Sequence, residues 1–303
     1  MSIESQSVAH GQSTLPLTPL DGVCITDEGC RTRLLQSRVG LVEDWRSSGV
    51  SLRRSKEGFS ADFQVCLPYR GLFVWHVGGD DVVGDANQVL FVAGGESYHL
   101  SQPRSGNYAE LIITPDLELL EEIAGGPRAS LSFHPLFQRR SQRADFQLQQ
   151  LRARFLQRAT SGNSNGAGLE EWMVALLRAA LGTDRRTNQP GCATRRLIRR
   201  AKEFLEANLS GPVRLADVAR EVGASPAYLT DTFRRVEGIP LHGYLTQLRL
   251  ARALVELRHA DDLTTLALDL GFSSHSHFTA AFRRAFGCTP SRFRESTRAA
   301  GSD

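Results

Sequence analysis

The chain has 303 residues, 41% hydrophobic and 23% charged, with a formal net charge of +3. That length is a prior for two domains, each able to bury a core without staples. No run of about 18 apolar residues occurs, which argues against a transmembrane helix, and five scattered cysteines (Cys24, Cys30, Cys66, Cys192, Cys288) fit a reducing, cytoplasmic setting better than a disulfide scaffold.

Residues 1–20 are rich in Ser and Gln, carry Pro16 and Pro19, and read as a loose tail without the basic and apolar regions of a secretory signal. From 21 to about 130 the pattern predicts short strands. Phe59, Ala61, Phe63 and Val65 alternate with polar residues, as in one half-buried strand. Gly71–Val77, Val89–Ala93 and Leu111–Ile113 are more continuous apolar runs, with turn signals at Pro68, Gly78-Gly79-Asp80, Gly94-Gly95 and Gly106-Asn107. Many short strands with frequent turns predict a sandwich or barrel. Between 131 and 182 the period changes, and two amphipathic helices are expected at about 134–158 and 168–182, forming a hairpin. A polar stretch, 183–194, is the best linker. The remainder, 195–298, is helical throughout, with a long helix expected over 241–259.

Charge is uneven. Residues 191–303 hold 17 basic and 12 acidic side chains, a net +5, whereas the remaining 19 basic and 21 acidic side chains give −2. Only Lys56 and Lys202 are lysines, so the basic charge is almost all arginine. A basic C-terminal part points to an anionic partner.

The last hundred residues contain a repeat. Leu215-Ala216-Asp217-Val218-Ala219-Arg220-Glu221-Val222-Gly223 matches Leu263-Thr264-Thr265-Leu266-Ala267-Leu268-Asp269-Leu270-Gly271 at an offset of 48. A second helix follows each copy. The copies re-align as Phe233-Arg234-Arg235 and Phe282-Arg283-Arg284 at an offset of 49, so the second copy has one extra residue in or just after its turn. The glycines suit the left-handed conformation that ends a helix, and Ser225 or Ser273 can cap the next one. This is the construction of a helix-turn-helix, whose second helix enters a DNA major groove. Leu229, Phe233, Phe278 and Phe282 are expected in the core.

Residues 197–294 resemble the AraC/XylS transcription regulators. The most specific stretches are Gly271-Phe272-Ser273-Ser274-His275-Ser276-His277-Phe278 and Phe282-Arg283-Arg284-Ala285-Phe286-Gly287-Cys288-Thr289-Pro290. The resemblance implies an α+β protein with an N-terminal cupin-like β-barrel and helical hairpin, then an all-α domain of seven helices carrying two helix-turn-helix units. It implies a non-enzymatic, sequence-specific DNA-binding regulator, an effector-responsive activator. Its partners would be double-stranded DNA, a small-molecule effector, RNA polymerase and a second copy of the chain in a homodimer. Groove-facing residues carried over from the family are Ala227, Tyr228, Thr230, Asp231 and Arg234 in the first unit and His275, Ser276, Thr279, Ala280 and Arg283 in the second; Arg235 and Arg284 read either as phosphate clamps or as solvated side chains. Asp231 departs from the basic residue of several relatives, and Ala280 offers only a methyl group.

For the N-terminal part the effector residues are open; Phe63, Arg70, Phe73, Trp75, His76 and Arg104 are candidates. His76, Glu96 and His99 are dispersed in sequence, so no metal or other cofactor is expected. A cupin-type enzyme with a helical appendage, or a regulator responding to oxidation or partner proteins, are the rival readings.

Overall fold

The computed structural model describes residues 23–26, 28–48, 55, 57–102, 107–125, 137–138, 140–161, 166–182 and 191–299, and every structural statement below concerns these. The expected tail, Arg104 and residues 183–190 of the expected linker lie outside them.

The protein is mixed α+β, with a sheet-rich N-terminal region and a helical C-terminal domain. Strands β1 (Val23–Thr26), β2 (Gly29–Ser37), β3 (Gly40–Ser47), β4 (Gly58–Ser60), β5 (Gln64–Arg70), β6 (Leu72–Val77), β7 (Asp80–Asp85), β8 (Gln88–Val92), β9 (Glu96–Ser101), β10 (Ala109–Pro115) and β11 (Ser141–Arg143) form two antiparallel sheets. Their orders are β1-β2-β3-β10-β5-β8-β11 and β4-β9-β6-β7. Between the sheets lies an inner core with Cys66, Leu90, Val92 and Ile112 from one and Phe73, Trp75, Val77 and Val82 from the other. The opposite face of the larger sheet, with Val65, Leu67, Phe91, Leu111 and Ile113, packs against helices α1 (Leu117–Ala124), α2 (Phe146–Thr160) and α3 (Gly166–Leu181). Strands β5 and β8 are covered on both faces, which explains their unbroken apolar runs.

Two expectations need correction. The alternation over Phe59–Val65 is not one strand. The chain bends at exposed Ala61 and Asp62, where Ser60 Oγ donates to the Asp62 carbonyl at 2.7 Å, and β4 and β5 enter different sheets. Nor is 134–158 one helix. Ser141–Arg143 pairs with Gln88–Leu90 as an edge strand, and α2 starts only after Asp145, whose carboxylate accepts from the Leu148 amide at 2.8 Å. The backbone demand of a sheet edge overrides the helical spacing there.

The C-terminal domain consists, among the described residues, of α4 (Cys192–Ala207), α5 (Leu215–Val222), α6 (Pro226–Glu237), α7 (Leu241–Glu256), α8 (Leu263–Asp269), α9 (His275–Phe286) and α10 (Pro290–Ala299). Helix α4 begins inside the expected linker, and α7 ends three residues before its expected limit. Helix α7 serves two cores. Its first half (Leu241, Tyr244, Leu245, Leu248) packs with α4, α5 and α6, and its second half (Leu250, Ala253, Leu254) packs with α8, α9 and α10. Arg249 ties the halves together. It donates to the carbonyls of Leu209 at 2.9 Å and Gly211 at 2.7 Å, and lies 5.9 Å from the Phe272 ring centroid.

Gly223 and Gly271 both have positive φ, +69° and +79°. A Cβ at Gly223 meets nothing within 4 Å, whereas at Gly271 it would sit 2.5 Å from the Leu209 carbonyl oxygen and 2.7 Å from the Arg249 guanidinium. Gly223→Ala should therefore cost about 1–2 kcal/mol from left-handed strain alone. Gly271→Ala should cost more, because it also displaces Arg249 from its carbonyls. Urea unfolding of the two variants checks the order; equal losses would contradict it.

Candidate nucleic-acid interface

Each of the two repeats folds as helix, sharp turn, helix. In the first, α5 ends at left-handed Gly223, Ser225 Oγ accepts from the Tyr228 amide at 3.2 Å, and Pro226 supplies the fixed φ of the first turn of α6. In the second, the Asp262 carboxylate accepts from the amides of Thr264 and Thr265 to start α8, and the chain turns at Gly271. The cap of α9 is Ser274, accepting from His277 N at 3.1 Å, and not Ser273. The extra residue of the second copy thus lies in its turn. Ser273 is pushed outward, where its Oγ lies 3.0 Å from His277 Nδ1.

The core expectation holds: Leu229, Phe233, Phe278 and Phe282 are fully buried. The other faces of the second helices carry the carried-over residues. On α6, Ala227, Tyr228, Thr230, Asp231, Arg234 and Arg235 are exposed; on α9, Ser276, Ala280, Arg283 and Arg284 are exposed, with His275 and Thr279 half-buried. Two shallow depressions gather most of them. Ala227, Thr230, Asp231 and Arg234 line one with Leu215; His275, Ser276, Thr279, Ala280, Arg283 and Arg284 line the other with Thr289. Asp231 accepts an ion pair from Arg235 at 3.3 Å within α6, so Arg235 is turned along the helix. Arg234, Arg283 and Arg284 have no acidic partner among the described residues.

A family model described as a helix-turn-helix domain matches residues 218–296. The regulatory protein PocR of Salmonella typhimurium is 33% identical over 99 residues, 32% of this chain and 33% of PocR. The regulatory protein SoxS of the same organism is 36% identical over 99 residues, 32% of this chain and 92% of SoxS. The chain belongs to the AraC/XylS family. A crystal structure of a transcriptional regulator with an AraC-type DNA-binding domain, from Chromobacterium violaceum, is 30% identical, covering 35% of this chain and 96% of that one with a TM-score of 0.33. The chain spans about a third of the length of relatives such as PocR.

The AraC-type domain is held by the N-terminal domain at both helix-turn-helix units. The β7–β8 turn, Asp85-Ala86-Asn87-Gln88, is buried, and Ala86 joins the core of the first unit beside Ala201, Leu205 and Tyr244. The Tyr244 hydroxyl donates to Asp85 Oδ2 at 2.5 Å, and Asn87 Nδ2 donates to the Tyr244 carbonyl at 3.1 Å. Gln88 Nε2 donates to Glu237, the last residue of α6, at 3.1 Å, and buried Lys202 of α4 pairs with the same carboxylate at 2.9 Å. Burial, and then the Asp85 charge, push the Tyr244 hydroxyl well above its ordinary value. From α2, Gln149 Nε2 donates to Asn87 Oδ1 at 2.9 Å and the Ala86 carbonyl at 3.1 Å, while fully buried Arg152 donates to the Pro68 carbonyl. At the second unit, Phe146 of α2 meets Phe286 at the end of α9 edge to face, with centroids 5.6 Å apart. Arg195 and Arg199 of α4 pair with Asp80 at 2.8 Å and Asp81 at 2.9 Å. None of the contacts between the two domains was legible in the sequence, since each joins residues more than a hundred positions apart.

The effector candidates do not converge. Phe73 and Trp75 are in the inner core, but Phe63 faces the helices on the outer side of the larger sheet. His76 is held by Asp81 at 2.6 Å and Ser101 at 2.7 Å. It stands opposite His99 in the β6–β9 register, yet His99 turns to the Ser55 carbonyl and Glu96 to Arg140. Arg70 lines a cleft of about 750 Å³ between the domains, together with Arg46, Leu156, Leu254 and Phe293.

Glu206 of α4 completes the joint. It accepts from the Gly71 amide, and burial, then nearby Asp85, raise its carboxyl to about 7, against the pull of Arg252 and Arg70. The folded chain therefore binds a proton that the unfolded chain releases between about pH 4.5 and 7. This group's contribution is fully present below about pH 4.5 and is lost as pH rises through 7. Glu206→Gln keeps the uncharged form throughout. Its urea midpoint relative to wild type should rise from about pH 5 to about pH 7.5; a constant difference would contradict this assignment.

Proposed function

We propose that this chain is a transcription regulator whose C-terminal domain reads two successive major grooves through α6 and α9. The observation that carries the reading is a solvent-facing, arginine-bearing face on each second helix, with both units mounted on one helix, α7. His275, Ser276 and Thr279 suit base edges, and Arg234, Arg283 and Arg284 suit phosphates. Arg235, turned to Asp231, is the weaker clamp. The units differ by one residue in the turn and, at an offset of 49, at Ala227/Ser276, Tyr228/His277 and Asp231/Ala280, while Thr230/Thr279 and Arg234/Arg283 match; each copy therefore reads an asymmetric half-site, with boxes about 34 Å apart.

The N-terminal domain is the sensor in this reading: a cupin-like barrel that takes a small effector, with α2 and α3 as the dimer contact of a homodimer and transcription activated through RNA polymerase. The support is the grip described above. Contacts reach Glu237 and Phe286, the C-terminal residues of both second helices, so a shift of the sensor changes where both faces point. Only an effector with unequal affinity for two arrangements can switch the protein.

Selection of full-length protein against a random DNA pool, with sequencing of the bound fraction, tests the reading. Two enriched boxes about one helical turn apart are expected; no enrichment by any form of the chain would overturn it. Arg283→Ala should weaken binding on all sequences and reduce the slope of log K against log salt by about 0.9. His275→Ala should change base preference within one box more than it changes total affinity.

A further inference from the structure

Glu110 lies in the inner core of the N-terminal domain, and its Oε2 is buried with no hydrogen-bond partner. On β10 it stands opposite Trp45 of β3, which stands opposite Arg31 of β2. Cross-strand partners share a face, so Arg31, Trp45 and Glu110 form a row. The same face carries Cys66 and Ile112 of the inner core. Tyr98, packed on that core, comes from the opposite sheet, its ring 6.2 Å from Trp75. A Cβ at Gly58 would strike the Tyr98 ring at 2.7 Å, so glycine at that position makes room for the ring.

The neighbours do not satisfy this carboxylate. Arg31 is paired with Glu43 at 3.0 Å and lies 5.5 Å from the Trp45 ring centroid. Trp45 Nε1 donates to the Tyr108 hydroxyl at 2.8 Å, which leaves its ring face as what it offers inward. Solvent reaches this end of the interior, because Trp45, Tyr98 and Leu100 are only partly buried and the Arg31 side chain is 39% exposed. An unpartnered buried carboxylate opposes folding, and an apolar residue of its size would pack at lower cost. Its presence beside aromatic rings marks a place where a ligand supplies the missing partner.

We propose that the inner face of the N-terminal domain binds a small organic cation, its charged group paired with Glu110 and flanked by the rings of Trp45 and Tyr98. Aromatic faces attract cations, and a carboxylate adds a full opposite charge. An anionic ligand would face both Glu110 and Glu43. This inference rests on reading the N-terminal domain as the sensor and names the chemistry of what it senses. Burial holds the Glu110 carboxyl at about 8, against Arg31. The groups facing it are Arg31, Cys66, Tyr98 and Tyr108, with Glu43 beyond Arg31. At about pH 7 the unliganded site therefore carries a proton, and a bound cation drives it off.

The test uses the full-length chain with choline, putrescine, agmatine and tyramine as probes and 3,3-dimethylbutanol as the neutral counterpart of choline. Thermal unfolding and calorimetric titration at about pH 7 are the readouts. At least one cation should raise the melting temperature, should bind at least tenfold more weakly to Glu110→Gln, and should release a proton, seen as heat that varies with the buffer's ionisation enthalpy. Glu110→Met, matched to the core, replaces the glutamine variant if that does not fold. The proposal is overturned if no cation protects wild type more than the variant, or if dimethylbutanol binds as well as choline. DNA selection with the wild-type chain, run beside its cation titration, separates the two readings. Motif enrichment by the wild type without cation binding removes this proposal alone, and absence of enrichment by the wild type removes the regulator reading.

Discussion

The hydrogen bond from Tyr244 to Asp85 is the contact on which the arrangement of this molecule depends. Both groups are fully buried, so neither can fall back on water. A buried carboxylate without its donors is costly, and that cost falls on any arrangement in which the β7–β8 turn leaves the AraC-type domain. Asp85 also accepts from the Asn87 amide at 2.9 Å, which fixes the turn before it docks. Around this pair Asn87, Gln88, Glu237 and Lys202 form a network whose members have partners on both domains. Networks of this kind specify one geometry more than they add stability.

That geometry matters because α7 transmits it. Tyr244 is on the first half of α7 and Leu254 on the second, and Arg249 between them pins the α4–α5 connection and the turn of the second unit at once. The two second helices are thus spaced by one rigid element. The N-terminal domain holds the first unit at Tyr244 and Glu237, and the second at Phe286. The same joint contains Glu206, whose carboxyl is raised to about 7 by burial and by Asp85.

The sequence disclosed the helical domain far better than the sheets. Leu, Ala and Gly at fixed steps in two copies, with Phe-Arg-Arg closing each, report local helix geometry, and local geometry is what periodicity encodes. The failures were non-local. Ser141–Arg143 looks helical by spacing and becomes a strand because β8 has an open edge. Phe59 and Val65 share a period but not a sheet. Phe63 is an aromatic in a sheet domain, and only the sheet's orientation decides that it faces helices. Glu110 gave no signal, because one acid among apolar residues in a strand is read as solvent-facing, and its inward direction follows from register with Trp45 and Cys66.

The near absence of lysine has a consequence of its own. Lys202 is buried in the interdomain joint, and the solvent-facing cations of α6 and α9 are all guanidinium groups. Guanidinium stays protonated across the physiological range and is not a target of lysine acylation. The enzymes that neutralise lysine on other basic surfaces therefore have no lysine to act on along these two helices. The charge of the arginines on these faces is thus set by the sequence and lies outside the reach of lysine acylation.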